Sequence, residues 1–229
     1  MNELHENHRK RMKEKYERYG EDVFDTHQLL EMLMYAYVTR VDTNPAAHSL
    51  LRNFGGMKLF SAETEELKTV NGVGSATADG LRISLDTVRR IMCDGLEEKG
   101  LDNDFKIRTY CYLKLLGKPY ECVYRMVLSK RNRVIEWVPI PEGVRADSAF
   151  VKELARSVIS VSGNRLILCH SHGEESATPS VEDLYITEYL SRELFSYGIS
   201  LEDQYVITTD NCVSCKEIME NSKKNTKGE

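Results

Sequence analysis

The chain of 229 residues is 41% hydrophobic and 29% charged, with a formal net charge of −5, a composition of a globular protein long enough for two small hydrophobic cores. It contains no apolar span long enough to cross a bilayer and no recognisable signal peptide, so a cytoplasmic protein is expected. Its six cysteines are scattered without a framework, which fits a reducing compartment and excludes a disulfide scaffold.

In chain order, His8 to Arg18 is a charged amphipathic stretch, Thr26 to Tyr37 predicts an apolar helix, and Asn44-Pro45 opens another that runs through Phe54 to the Gly55-Gly56 break. Leu67 to Leu81 then reads as a helix-hairpin-helix, with an apolar helix end, the turn Gly72-Val73-Gly74, and a second helix marked by Ala78 and Leu81. A glycine-rich turn ahead of a helix exposes backbone N–H groups at its positive end, which suits a phosphate oxygen. Gly72, Val73 and Gly74 are therefore candidate contacts for weak, sequence-independent DNA binding, with Arg9, Lys10, Arg11, Lys13 and Lys15 within reach of a few more phosphates. The same hairpin serves equally as a packing element. Residues 1–92 carry 13 Lys and Arg against 14 Asp and Glu, so this half is no basic domain. It is expected to be all-α over residues 1–93, with an acidic, glycine-containing linker over 94–104.

Beyond the linker a short helix, Ile107 to Leu116, introduces a second domain expected over 105–220. Leu166-Ile167-Leu168-Cys169 is an apolar run that predicts a buried strand, and it leads directly into His170-Ser171-His172. Side chains alternate along a strand, so His170 and His172 point the same way and can grip one ion, while Ser171 turns to the opposite face and packs. Thr178 and Pro179 open a helix, Ser180 precedes Asp183 by three positions, and the two share a helical face. Two imidazoles and a carboxylate leave a fourth coordination position free, the arrangement of a catalytic rather than a structural zinc. One zinc per chain, held by His170, His172 and Asp183, is the expected cofactor. Cys212 and Cys215 form the only close cysteine pair and are read as packing. The polar, Lys-rich tail over 221–229 is expected to be disordered.

The array His-x-His, seven residues, Ser, two residues, Asp resembles the JAMM signature, also called MPN or JAB, and fits it without gaps. The flanks are similar to the RadC branch of that superfamily. The matching residues are Glu121 leading into the strand pair that ends at Ile135, Gly143, the helix Ser148 to Ile159, Ile186-Thr187 with the run to Tyr197, and the strand Asp203 to Ile207. RadC proteins usually read His-Asn-His-Pro-Ser-Gly where this chain has His-Ser-His-Gly-Glu-Glu, a change that leaves the ligand spacing intact and makes the following loop more acidic.

The resemblance implies an α+β, two-domain chain: an all-α helix-hairpin-helix domain, then an α/β JAMM/MPN domain of cytidine-deaminase-like architecture with a mixed sheet flanked by helices. It implies a zinc metallopeptidase acting on an unknown protein or peptide substrate, cleaving a peptide or isopeptide bond. Glu121 then becomes the proton carrier, a role that strand position alone leaves equally open to Glu136 and Glu142. Ser180 would donate a hydrogen bond to the oxyanion. A DNA-binding or DNA-repair accessory protein with an unused or structural metal is the alternative. A nuclease fits less well, since phosphodiester cleavage favours two metals held by several carboxylates and only Asp183 is well placed.

Overall fold

The computed structural model describes residues 2–39, 41–118, 120–173 and 176–226. The chain divides into two units, Met1–Val88 and Arg89–Glu229, the division falling inside one long helix.

The first unit is helical. α1 (Asn2–Tyr19), α2 (Thr26–Met34), α3 (Asn44–Lys58) and the short α4 (Thr64–Leu67) lead into α5 (Ser75–Lys99). α2 begins at a capping box, in which the backbone N–H of Asp25 donates to Gln28 Oε1 at 3.1 Å. α3 starts with Pro45 in its first turn and is broken at Gly55, whose φ of 66° only glycine adopts at little cost. Leu30, Met34, Leu50, Leu67, Val70 and Leu81 form the core. One carboxylate is buried with them: Glu31 is 1% exposed, and it meets His8 Nε2 at 3.0 Å, the Tyr35 hydroxyl at 2.7 Å and Asn44 Nδ2 at 3.0 Å. These partners come from α1, from the residue that ends α2 and from α3, so the buried Glu31 side chain ties the three helices together.

The second unit begins within α5 and continues through α6 (Asp104–Leu115), β1 (Cys122–Leu128), β2 (Val134–Ile140), α7 (Ser148–Ser160), β3 (Arg165–Ser171), α8 (Val181–Phe195), β4 (Ser200–Ile207), β5 (Cys212–Ser214) and α9 (Cys215–Thr226). The strands form one mixed sheet in the order β2-β1-β3-β4-β5, with β3 and β4 parallel and the other pairs antiparallel. The alternation expected of a strand is visible along β3: Ile167 and Cys169 pack with Tyr110 and Cys111 of α6, whereas Leu166 and Leu168 pack with Val151, Leu154 and Val158 of α7 and with Leu190 and Leu194 of α8. Helices thus cover both faces, and each face has its own core.

Two expectations about the connecting segments are corrected. The segment expected as a linker over 94–104 is helix as far as Lys99, and α6 starts at Asp104. Gly95 misreads as punctuation because tertiary packing overrides it, whereas Gly100, at φ 80°, does end the helix: Cys93 is buried and Leu96 half-buried in the core that contains Tyr110, and the Tyr110 hydroxyl reaches Glu97 Oε1 at 2.5 Å. The tail expected to be disordered from Asn221 is helical to Thr226, since half-buried Ile218 and Met219 carry α9 onward and Lys223 lies 3.6 Å from Glu188 of α8. Positions 227–229 lie outside the described residues.

Candidate metal centre

β3 delivers the two histidines. Because Leu166 and Leu168 face α7 and α8, His170 continues on that face, and Ser171 turns away, where it is 2% exposed and accepts a hydrogen bond from the N–H of Gly173 at 3.3 Å. His172 follows at the strand end, where its backbone N–H donates to the Ile207 carbonyl at 2.9 Å. The two imidazoles stand at 86° with ring centres 4.5 Å apart. In the antiparallel register β1 sets Val123 opposite His170 and Cys122 opposite Ser171, so Glu121 enters one step further, level with His172. Glu121 Oε1 lies 3.0 Å from His170 Nε2.

Asp183 comes from the first turn of α8. Ser180 caps that helix reciprocally: its hydroxyl accepts from the N–H of Asp183 at 3.0 Å and donates to Asp183 Oδ2 at 2.6 Å, while its own N–H donates to the same oxygen at 2.9 Å. The other carboxylate oxygen, Oδ1, lies 2.7 Å from His170 Nδ1 and accepts from Gln204 Nε2 at 2.9 Å. His172 Nε2 is 3.6 Å from Oδ2. Gln204 sits on the face of β4 opposite to Asp203 and Tyr205, and Thr187 Oγ1 stands 3.1 Å from its Oε1.

The electrostatics follow from these contacts. Burial works against the charged form of both Asp183 and His170. For Asp183 the hydrogen bonds from His170 and Ser180 outweigh it and hold the carboxyl well below the usual range. For His170 the neighbouring Asp183 and Glu121 carboxylates outweigh burial and raise the imidazolium above its ordinary value.

The structure therefore brings together Glu121, His170, His172, Ser180 and Asp183, drawn from β1, β3 and α8. Ligand atoms of Glu121, His170 and His172 lie within 4.8 Å of one another, and Asp183 adjoins both imidazoles. Two imidazole nitrogens with acceptor-only carboxylates are a donor set that fits zinc. The two carboxylates differ sharply, with 6% of the Asp183 side chain exposed against 74% of Glu121. Of the other carboxylates open to the proton-carrying role, Glu136 pairs with Arg125 at 3.1 Å, and Glu142 lines the cavity beside Glu121.

Gln204 escaped sequence reasoning. Its signal was a polar amide within the apolar run Asp203 to Ile207, which reads equally as a strand residue facing solvent. The cavity also has no local sequence pattern. It encloses about 550 Å³, with Glu121, His170, Asp183 and Gln204 in its lining together with Val123, Ile140, Phe150 and Leu168.

Gly72, Val73 and Gly74, expected as the turn of a helix-hairpin-helix, lie in the other unit. Gly72 has φ 90° and stands against α3, where an added Cβ would come 3.2 Å from that of Ala46. Val73 is buried at 5% exposure and belongs to the helical core. Arg9 is engaged within its own unit, donating to the carbonyls of Val38 at 2.6 Å and Val41 at 2.7 Å and standing 4.6 Å over the Tyr35 ring.

The RadC-like JAB domain model matches residues 101–221. A UPF0758 protein of Fusobacterium nucleatum is 29% identical over 220 residues, covering 92% of this chain and 95% of its own length. A UPF0758 protein of Shewanella amazonensis is 30% identical over 193 residues, covering 83% and 86%, and one of Shewanella loihica is 29% identical over 208 residues, covering 90% and 92%.

Proposed function

The chain belongs to the RadC family, carrying its JAB domain, and on that premise we propose that it is a zinc-dependent amide hydrolase acting on a peptide or isopeptide bond. The observation that carries this reading is the convergence of Glu121, His170, His172 and Asp183 at one centre, with one carboxylate buried and the other exposed.

Asp183 has the character of a ligand. It is buried, it stays ionised, and Ser180 and Gln204 orient its oxygens. His170 and His172 supply the nitrogen donors. Zinc, when bound, supplies Lewis acidity that activates water at neutral pH. Glu121 has the character of a proton carrier: exposed and held by a single described contact, its carboxylate can take a proton from the attacking water and hand it to the leaving amine nitrogen. The Ser180 hydroxyl, which donates to Asp183 Oδ2, can swing that donor toward the substrate carbonyl oxygen as negative charge develops there.

The test is Glu121→Gln in the full chain. Elemental analysis is expected to show zinc retained, and hydrolysis of a fluorogenic peptide pool is expected to fall about 10²- to 10⁴-fold, the usual worth of general acid–base help. Loss of zinc would make Glu121 a ligand. Unchanged hydrolysis would move the proton-carrying role to Glu142.

A further inference from the structure

Resting on the hydrolase reading, we propose that the cavity beside Glu121 and His170 is a specificity subsite for a bulky, uncharged, apolar group flanking the scissile amide. Its volume of about 550 Å³ lies within the range of ligand pockets, and it is several times what an activated water needs. Glu121, His170, Asp183 and Gln204 make its metal-centre side polar, and Glu142 adds a carboxylate beside Glu121. Most of the remaining wall is apolar, with Val123 and Ile140 from β1 and β2, Val144 from the segment after β2, Phe150 from α7, and Ile186 and Leu190 from α8.

Three features make this a receptor rather than a packing gap. First, Ile140, Phe150 and Ile186 are only half-buried and Val144 is 43% exposed, while Leu166 and Leu194 of the same layer, outside the lining, are sealed. Second, His172 is absent from the lining, so the cavity flanks one side of the centre and would receive one side of a substrate seated there. Third, the charge is one-sided: Glu121, Glu142 and Asp183 are the carboxylates of the lining, and no Lys or Arg is among the described lining residues. A carboxylate entering would meet like charge with no Lys or Arg of the lining to pair with, and an apolar group would lose only water. The segment Pro141-Glu142-Gly143-Val144 forms part of the wall, and Gly143, at φ 73°, makes the turn that brings Val144 to it.

Hydroxamates supply the test, since they anchor on zinc and carry an interchangeable side group. Acetohydroxamate, 3-phenylpropionohydroxamate and the monohydroxamate of succinic acid are titrated calorimetrically into the zinc-loaded full chain. The phenyl compound is expected to bind about 10- to 100-fold more tightly than acetohydroxamate, the worth of burying one large apolar group, and the succinyl compound no more tightly than acetohydroxamate. Val144→Trp, at a half-exposed position, and Ile186→Trp each fill the cavity and are expected to bring the phenyl-to-methyl ratio close to one with zinc content unchanged. Equal affinities in the parent chain, or an undiminished preference in both variants, overturn the subsite. A chain that takes up no zinc overturns the hydrolase reading on its own, and the same hydroxamate pair, titrated without metal, still decides the subsite by whether the phenyl group is preferred.

Discussion

At the scale of single residues, the centre depends on how Asp183 is held as well as on which atoms would meet a metal. Gln204 is the group that fixes Asp183 Oδ1 from the neighbouring strand. Gln204→Met keeps the volume and removes the donor, and it is expected to weaken zinc binding about 10- to 100-fold with the fold retained, measured by competition against a chelating dye. Asp203, one position earlier, faces the other side of the sheet and offers a test of pH dependence. Burial raises its carboxyl above the usual range, although Ser214 Oγ at 2.5 Å and the N–H groups of Lys216 and Gln204 at 3.1 and 2.7 Å work in the opposite direction. A raised acid binds its proton more tightly in the folded state, so the stability it contributes is complete at acid pH and is lost as pH rises through the folded value. Asp203→Asn removes that loss. Urea unfolding of variant and parent at pH 3.5 and pH 7 is expected to favour the variant more at pH 7; an opposite trend would show that the three donors outweigh burial.

At the scale of elements, stability rests on the two layers that sandwich the sheet. Leu154 of α7 is 1% exposed in the layer between sheet and helices, and Leu154→Ala is expected to cost about 2–5 kcal/mol in denaturant unfolding. The long periodic elements were legible. The His170 strand, the apolar helix from Thr26, the helix from Asn44-Pro45 and the one ahead of Glu121 all announce themselves by spacing and by their start signals. Ser180 is legible twice over, as a cap and as a neighbour of Asp183, because the same hydrogen bonds perform both tasks. What escaped was short or decided from outside. β5 spans three residues, too few for any period to show, and α9 is mostly polar, its helicity resting on Ile218 and Met219. The six-residue extension of α5 past Cys93 is imposed by packing that lies far away in sequence.

At the scale of the whole molecule, neither core that covers the sheet includes Glu121, His170, His172 or Asp183. Stripping zinc with EDTA is therefore expected to leave the far-ultraviolet circular dichroism unchanged and to lower the unfolding free energy only by mass action, about 2.7 kcal/mol where free zinc had stood at 100 times Kd. Collapse of the dichroism on chelation would make the metal structural. The RadC-like JAB match covers 101–221, so the family model describes the region that holds all five site residues, while Gly72, Val73 and Gly74 lie outside it. The separation of Glu121 from the other four has a consequence for inheritance. His170, His172, Ser180 and Asp183 arrive together on one strand–loop–helix segment of fourteen residues, whereas Glu121 reaches them from another strand, 49 positions before His170, and only through the register of β1 against β3. On the proposed reading, a one-residue slip of that register, or a single codon change at Glu121, would silence proton transfer without altering the sequence of the segment that would grip the ion. Grip and chemistry would then be separate heritable traits, and a lineage could lose the second while still passing on the first.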